Sequence, residues 1–200
     1  MNRVVRVTVV LIALGFSALF LLDRSDAAPL KVGDAAPALS LPDESGTKVS
    51  LSDFAGKIVV LEWVNPDCPF VQRHGREGTM RDLAVKYAGK EVVWLGVNST
   101  HYMDQAHNKS WIAQAKLPYS ILDDGTGAVG KAYGARTTPH MFVIDPNGKL
   151  AYQGAIDDDR SGSKSERIQY LDSAISDLLA GRSVQIAETK PYGCSVKYAS

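Results

Sequence analysis

The chain has 200 residues, 45% of them hydrophobic and 22% charged, which are globular proportions and exclude a largely disordered protein. Lys and Arg number 22 against 22 Asp and Glu, so no charge imbalance points to nucleic acid, and no basic stripe interleaved with aromatics does either. Two cysteines exclude a disulfide-dense mini-fold, an all-cysteine zinc site and a four-thiolate iron–sulfur cluster, and neither common glycine-rich nucleotide loop occurs.

Residues 1–27 read as a secretory signal. Arg3 and Arg6 precede the uncharged run Val7–Leu22, and Ser25-Asp26-Ala27 supplies a small-x-small cleavage pattern. The run falls short of the roughly 20 residues a bilayer span needs. Asp23 and Arg24 make the cleavage region imperfect, which keeps an uncleaved membrane anchor as the alternative. The expected location is extracytoplasmic, a bacterial periplasm first, where disulfides persist. Residues 28–182 read as one domain and 183–200 as a tail. Asn98-Ser99-Thr100 and Asn108-Lys109-Ser110 match the glycosylation sequon, which matters only in a eukaryotic source.

Within the body, Ala38–Leu41 and Thr47–Leu51 flank a hairpin signal. Ile58–Val64 is an apolar, β-branched run that suits a buried strand, and Glu91–Asn98 is a second. A helix is expected from about Cys68 to Tyr87 with Pro69 in its first turn, then helices at Asp104–Ala115 and Gly127–Tyr133. Met141–Ile144 and Leu150–Gly154 form a hairpin through Asp145-Pro146-Asn147-Gly148. Ser163–Glu166 fits a capping box that opens a helix running to Gly181, and Val184–Ser200 shows no periodicity. The order βαβα, β-hairpin, α implies parallel strands first and an antiparallel hairpin second, with helices on both faces.

Chemistry in such a fold gathers at the carboxyl ends of the parallel strands, where Asn65-Pro66-Asp67-Cys68 lies. A cysteine at a helix N-terminus faces unpaired N–H groups and the positive end of the dipole, and both favour the nucleophilic thiolate. Asp67 works against this charge, and Arg73 and Arg76 are placed to compensate. Glu62 interrupts the apolar strand. On a central strand it is a buried acid that would move protons for the thiol; on an edge it is a solvent-facing acid. Thr138-Pro139 before a strand is either a cis peptide in a tight turn or an ordinary trans loop proline. Cys194, far along in the tail, would staple the tail to the site, resolve an oxidised Cys68, or pair with another chain. Cys68 with His74 or His140 is the one conceivable soft metal set, but no recognised metal spacing occurs, so the four histidines read as surface residues. Asp157-Asp158-Asp159 reads as a solvated loop. No cofactor is expected.

Several spaced motifs carry a family resemblance. Val32-Gly33-Asp34-Ala35-Ala36-Pro37 and Leu51-Ser52-Asp53-Phe54-Ala55-Gly56-Lys57, followed by the strand and Cys68, resemble the opening of the redoxin group. Asn65-Pro66-Asp67-Cys68-Pro69-Phe70-Val71 and Pro191-Tyr192-Gly193-Cys194-Ser195-Val196-Lys197 resemble its peroxiredoxin-like, AhpC/TSA-type branch, and Thr138-Pro139 resembles the thioredoxin cis-proline segment. The resemblance spans about residues 31–198. It implies an α/β, thioredoxin-like fold: a central mixed β-sheet flanked by helices, with an N-terminal β-hairpin extension. It also implies Cys68 as nucleophile, Glu62 as the buried acid and Pro139 as the cis-proline packed against the active cysteine. The chain departs from the family at Val71, where a Cys-x-x-Cys pair would carry its second cysteine. It departs again at Asn65 and Leu61, where typical peroxiredoxins carry a threonine or serine and a proline, and their later arginine would fall near Pro139, close to Arg136.

The expected protein is therefore an extracytoplasmic thiol oxidoreductase. Cys68, Cys194 and Glu62 carry the chemistry on a peroxide or a disulfide, an external thiol serves as reductant, and Asn65, Pro69, Thr138 and Pro139 shape the docking edge. The rival is a non-enzymatic binding module or metallochaperone with Cys68–Cys194 as a permanent staple. Neither nucleic acid nor, if the leader is cleaved, a membrane is an expected partner.

Overall fold

The computed structural model describes residues 29–199, so the expected signal at residues 1–27 lies outside the described residues. The strands are β1 (Ser40–Pro42), β2 (Lys48–Ser50), β3 (Ile58–Trp63), β4 (Val92–Asn98), β5 (Ile121–Asp123), β6 (Thr137–Thr138), β7 (His140–Ile144), β8 (Leu150–Gly154) and β9 (Cys194–Ser195). The helices are α1 (Pro69–Glu77), α2 (Thr79–Lys86), α3 (Gln105–Ala115), α4 (Ala128–Tyr133) and α5 (Tyr170–Leu179), with a 3-10 turn at Leu51–Phe54. Five strands form the central sheet in the order β5-β4-β3-β7-β8. β3, β4 and β5 run parallel, whereas β7 and β8 are antiparallel to their neighbours. This is the mixed sheet of a thioredoxin-like fold, with β1–β2 as the N-terminal hairpin.

Alternation along β3 sorts the core. Val59, Leu61 and Trp63 join Leu95, Val97, Phe142 and Ile144 on one face, packed by the hairpin, the 3-10 turn and Tyr133 of α4. Ile58 and Val60 join Trp94, Met141 and Val143 on the other, under Met80 of α2 and Leu171, Ala174 and Ile175 of α5. A third cluster sits past the carboxyl end of β3, where Val64, Cys68 and Val71 meet Trp111, Ala115 and Ile121.

Four elements differ from the sequence expectation. The single helix Cys68–Tyr87 is two helices, because Gly78 takes φ 74 and ends α1 with a left-handed turn. β5 is an extra strand, only three residues long, that adds to β4 in parallel. The capping box at Ser163 opens no helix. The Asp159 carboxylate instead accepts from the backbone N–H groups of Gly162, Ser163 and Lys164, and α5 starts only at Tyr170. A fixed anion satisfies those donors before a helix needs them. The tail, finally, is ordered against the body: β9 pairs with β6, and Val196 packs on the core.

The sequons are closed as well. Asn98 and Asn108 are buried, and the Asn98 amide donates to Asn108 Oδ1 at 2.7 Å. Among the described residues no helix is long and apolar enough to cross a membrane. Gly78→Ala should lower the unfolding free energy by about 1 kcal/mol in urea titrations, since alanine is strained at that positive φ.

Candidate active site

β3 delivers the chain to the active-site loop. Asn65 folds it: its side-chain oxygen accepts from Asp67 N–H at 2.8 Å and its carbonyl from Cys68 N–H at 2.9 Å. Cys68 is the N-cap of α1, with Pro69 in the first turn, where a missing N–H costs nothing. The cysteine is only 2% exposed. Asn65 is itself buried and its side-chain oxygen engaged, so it shapes the loop, while Pro69 is exposed at the rim.

The tail helps to cover Cys68, with Cys194 packed against the cluster that holds it. β9 lies antiparallel to β6, with Cys194 opposite Thr138 and Ser195 opposite Thr137. The two cysteines are free thiols, and their sulfurs stand 2.9 Å apart across 126 residues of sequence. Cys68 Sγ is also 2.9 Å from the Thr138 carbonyl oxygen. As a thiol it donates to that carbonyl; as a thiolate it accepts from the Cys194 thiol. Burial pushes the Cys68 thiol up, but the Cys194 thiol, the Val71 N–H and the Thr138 hydroxyl favour the anion and hold it below its ordinary value. The Thr138 hydroxyl is buried and has no hydrogen-bond partner in the resting arrangement. Cys194 moves the opposite way, to about 11, through burial and the neighbouring Cys68 sulfur. The pair thus holds a nucleophile and a proton donor in contact. Thr138–Pro139 is a cis peptide beside them.

Glu62 occupies the centre of the sheet, between Gly96 of β4 and Met141 of β7. Burial raises its carboxyl to about 7, against the hydrogen bond it accepts from the Tyr119 hydroxyl at 2.7 Å. No hydrogen bond joins Glu62 to Cys68. The acid lines a cavity of about 10 Å³ with Val71 and His74, room for a single water beneath α1. Val71 is the position where the family's local second cysteine would stand. Here the second sulfur arrives from the tail.

Several expectations are corrected. His74 and His140 are not surface residues; each is at most 2% exposed. Burial lowers them to about 4 and about 3. His74 hydrogen-bonds Tyr192 and Thr79, and His140 Nδ1 accepts from Arg136 N–H, so neither ring turns to Cys68. Among the described residues no three His, Cys, Asp or Glu side chains are grouped to hold a metal ion. Arg73 does not offset Asp67. Its guanidinium donates to the carbonyls of Asp159 and Arg160. Asp157 and Asp159 are buried, not solvated, and Arg167 pairs with Asp159 at 3.0 Å. Sequence reasoning missed Tyr192 and Tyr119. For Tyr192 the signal was an aromatic residue two positions before Cys194.

The carboxyl of Glu62 makes a pH prediction. In the unfolded chain it ionises near 4.5, in the folded protein near 7, so its stabilising contribution is complete below pH 4.5 and lost as pH rises through 7. His74 and His140 act in the opposite sense, because the unfolded chain takes up protons below about 6.5 that the folded protein refuses. The comparison with Glu62→Gln isolates the first effect. In urea titrations, the stability of the wild type relative to that variant should fall by about 3 kcal/mol between pH 4.5 and 7.

Comparison with known proteins identifies the family. Thiol-disulfide oxidoreductase ResA of Bacillus thuringiensis subsp. konkukian is 29% identical over 123 residues, 60% of this chain and 68% of that protein. Peroxiredoxin Bcp of Escherichia coli K12 is 35% identical over 141 residues, 62% of this chain and 85% of that one. The crystal structure of a hypothetical protein of Sinorhizobium meliloti 1021 superposes with a TM-score of 0.79 at 25% identity, covering 86% of this chain and 97% of the other. The AhpC/TSA family matches residues 32–153, which takes in Glu62, Cys68, Thr138 and Pro139 and stops short of Cys194. That match spans more than half of the chain, and it makes this protein a member of the AhpC/TSA family.

Proposed function

We propose that the protein is an extracytoplasmic thiol oxidoreductase in which Cys68 is the nucleophile and Cys194 of the same chain resolves it. The observation that carries this reading is the 2.9 Å approach of the two sulfurs, one held toward thiolate and the other held as thiol. The location rests on the signal pattern of residues 1–27.

In the first step the Cys68 thiolate attacks one sulfur of an external disulfide, forming a mixed disulfide and expelling the other sulfur as a thiolate. Cys194 gives up its proton, and its sulfur attacks Cys68, expelling the second external thiolate. The external disulfide gains two electrons and becomes two thiols; the chain loses two and holds a Cys68–Cys194 disulfide. An external dithiol reverses the exchange. Glu62, with its carboxyl near 7 and a water-sized cavity under α1, is the internal proton store we assign to the site. Thr138 and Pro139 form the edge on which the second sulfur, or a substrate sulfur replacing it, lies.

The favoured thiolate at Cys68 and the likeness to peroxiredoxin Bcp support a peroxide as second substrate class. There the O–O bond breaks, water leaves, Cys68 becomes a sulfenic acid and Cys194 displaces a second water. Among the described residues no arginine hydrogen-bonds Cys68, and Asn65 spends its oxygen on Asp67, so we put the disulfide first.

The test treats the reduced protein with one equivalent of oxidised glutathione or of hydrogen peroxide and follows thiol count and intact mass. Wild type should lose both thiols rapidly to oxidised glutathione and gain an internal disulfide. Cys194→Ser should stop at a mixed disulfide on Cys68, and Cys68→Ser should not react. Faster reaction with peroxide, trapped as sulfenic acid in Cys194→Ser, would reverse the order of substrates. Reaction with neither oxidant beyond that of a free thiol would sink the enzyme and favour a binding module.

A further inference from the structure

β9 is two residues long and pairs with an equally short strand, so its backbone bonds alone are a weak tether for a catalytic sulfur. A second attachment lies two residues upstream. Tyr192 is 7% exposed, and its hydroxyl is a hub. It donates to the Asp157 carboxylate, and Arg73 donates to it at 3.3 Å. His74 Nε2 lies 3.0 Å away. The same His74 nitrogen lies 3.2 Å from the Arg73 guanidinium, and Nδ1 lies 3.2 Å from the Thr79 hydroxyl. The ring rests between Phe70 and His74, with centroids 6.0 and 6.1 Å away, and the Arg73 guanidinium stands 5.8 Å over it.

Every one of those aromatic and cationic contacts comes from α1, the helix whose N-cap is Cys68. Between the anchor and Cys194 stands Gly193 alone. Its φ of 146 lets the backbone lie against the Thr138 carbonyl, where any Cβ would collide. The nucleophile and the anchor of its partner are thus referenced to one rigid element. Asp157 adds a penalty for release. It is buried, its Oδ1 accepts from both the Tyr192 hydroxyl and the Asp159 N–H, and its Oδ2 has no hydrogen bond but stands 3.8 Å from Arg167 Nη1. Lifting the tail costs this buried carboxylate one of the two hydrogen bonds that its Oδ1 accepts.

We propose that Tyr192 is a positioning residue for the Cys68–Cys194 couple: its hydroxyl, clamped by Asp157, Arg73 and His74, sets the effective concentration of the Cys194 sulfur at Cys68. This rests on the oxidoreductase reading above and names the group that tunes its second step. Tyr192 touches neither sulfur. It acts on ring closure, the attack of Cys194 on the mixed disulfide, and because the tail it anchors helps to cover Cys68, loosening it does not slow the first attack by Cys68.

Tyr192→Phe keeps the ring and removes the hub. In glutathione redox buffers, the equilibrium constant for the Cys68–Cys194 disulfide should fall about tenfold, and the resolution rate with it, the loss expected for hydrogen bonds to charged groups. In the Cys194→Ser background the first reaction of Cys68 with oxidised glutathione should be no slower with Phe than with Tyr192. Where Tyr192→Phe does not fold, Asp157→Asn carries the same comparison with the tyrosine retained. Unchanged equilibrium and resolution would overturn the role of Tyr192, as would a first step slowed to the same degree, which signals general loss of the site. A wild type that forms no internal disulfide sinks the oxidoreductase reading and this role with it. A wild type that forms one, matched by the variant, sinks the role of Tyr192 alone.

Discussion

Two sulfurs separated by 126 residues act as one couple only if the fold itself closes the loop between them. The entropy of closure grows slowly with loop length, so the cost of a distant partner over a local one is modest once the fold has formed. What the distant arrangement demands is accuracy at both ends. At one end β3 and the Asn65 turn fix Cys68 at the start of α1. At the other, the pairing of Thr138 with Cys194 and the docking of Tyr192 on α1 fix the tail. The rest of the molecule keeps those ends in register.

The electrostatics of the pair follow from that closeness. A helix N-terminus and nearby donors draw Cys68 toward its anion, and that anion discourages a second one next door. The two roles therefore separate without any charged side chain hydrogen-bonded to either sulfur among the described residues. The charged groups nearby serve the scaffold instead. Arg73, Arg167, Asp157, Asp159 and Glu77 join α1 to the loop after β8, and Tyr192 plugs the tail into that join.

Much of this was legible in the sequence, for identifiable reasons. The β-branched runs at β3 and β4 and the turn between β7 and β8 are local signals, and the structure keeps them. Cys68 was readable because a strand, a proline-bounded turn and a helix start are all local. Glu62 could be noticed but not assigned a face, since that depends on having β4 on one side and β7 on the other. β5 was invisible because three residues carry no period. The Ser163 box misled because Asp159, four residues earlier, claims the same N–H groups. The Asp157–Asp159 run looked solvated because its partners Arg73, Arg167 and Tyr192 come from three separate stretches. The sulfur–sulfur distance belonged to the tertiary fold alone.

The late arrival of Cys194 has a consequence for biogenesis. A ribosome adds about 5–20 residues each second, so Cys68 emerges several seconds before its partner exists. Through that interval the nascent chain carries a single thiol, and the only disulfides open to it are with other molecules. The tail both supplies the partner and packs against a Cys68 that is 2% exposed. The segment that carries Cys194 thus ends the interval in which the lone Cys68 thiol is open to exchange with a foreign disulfide.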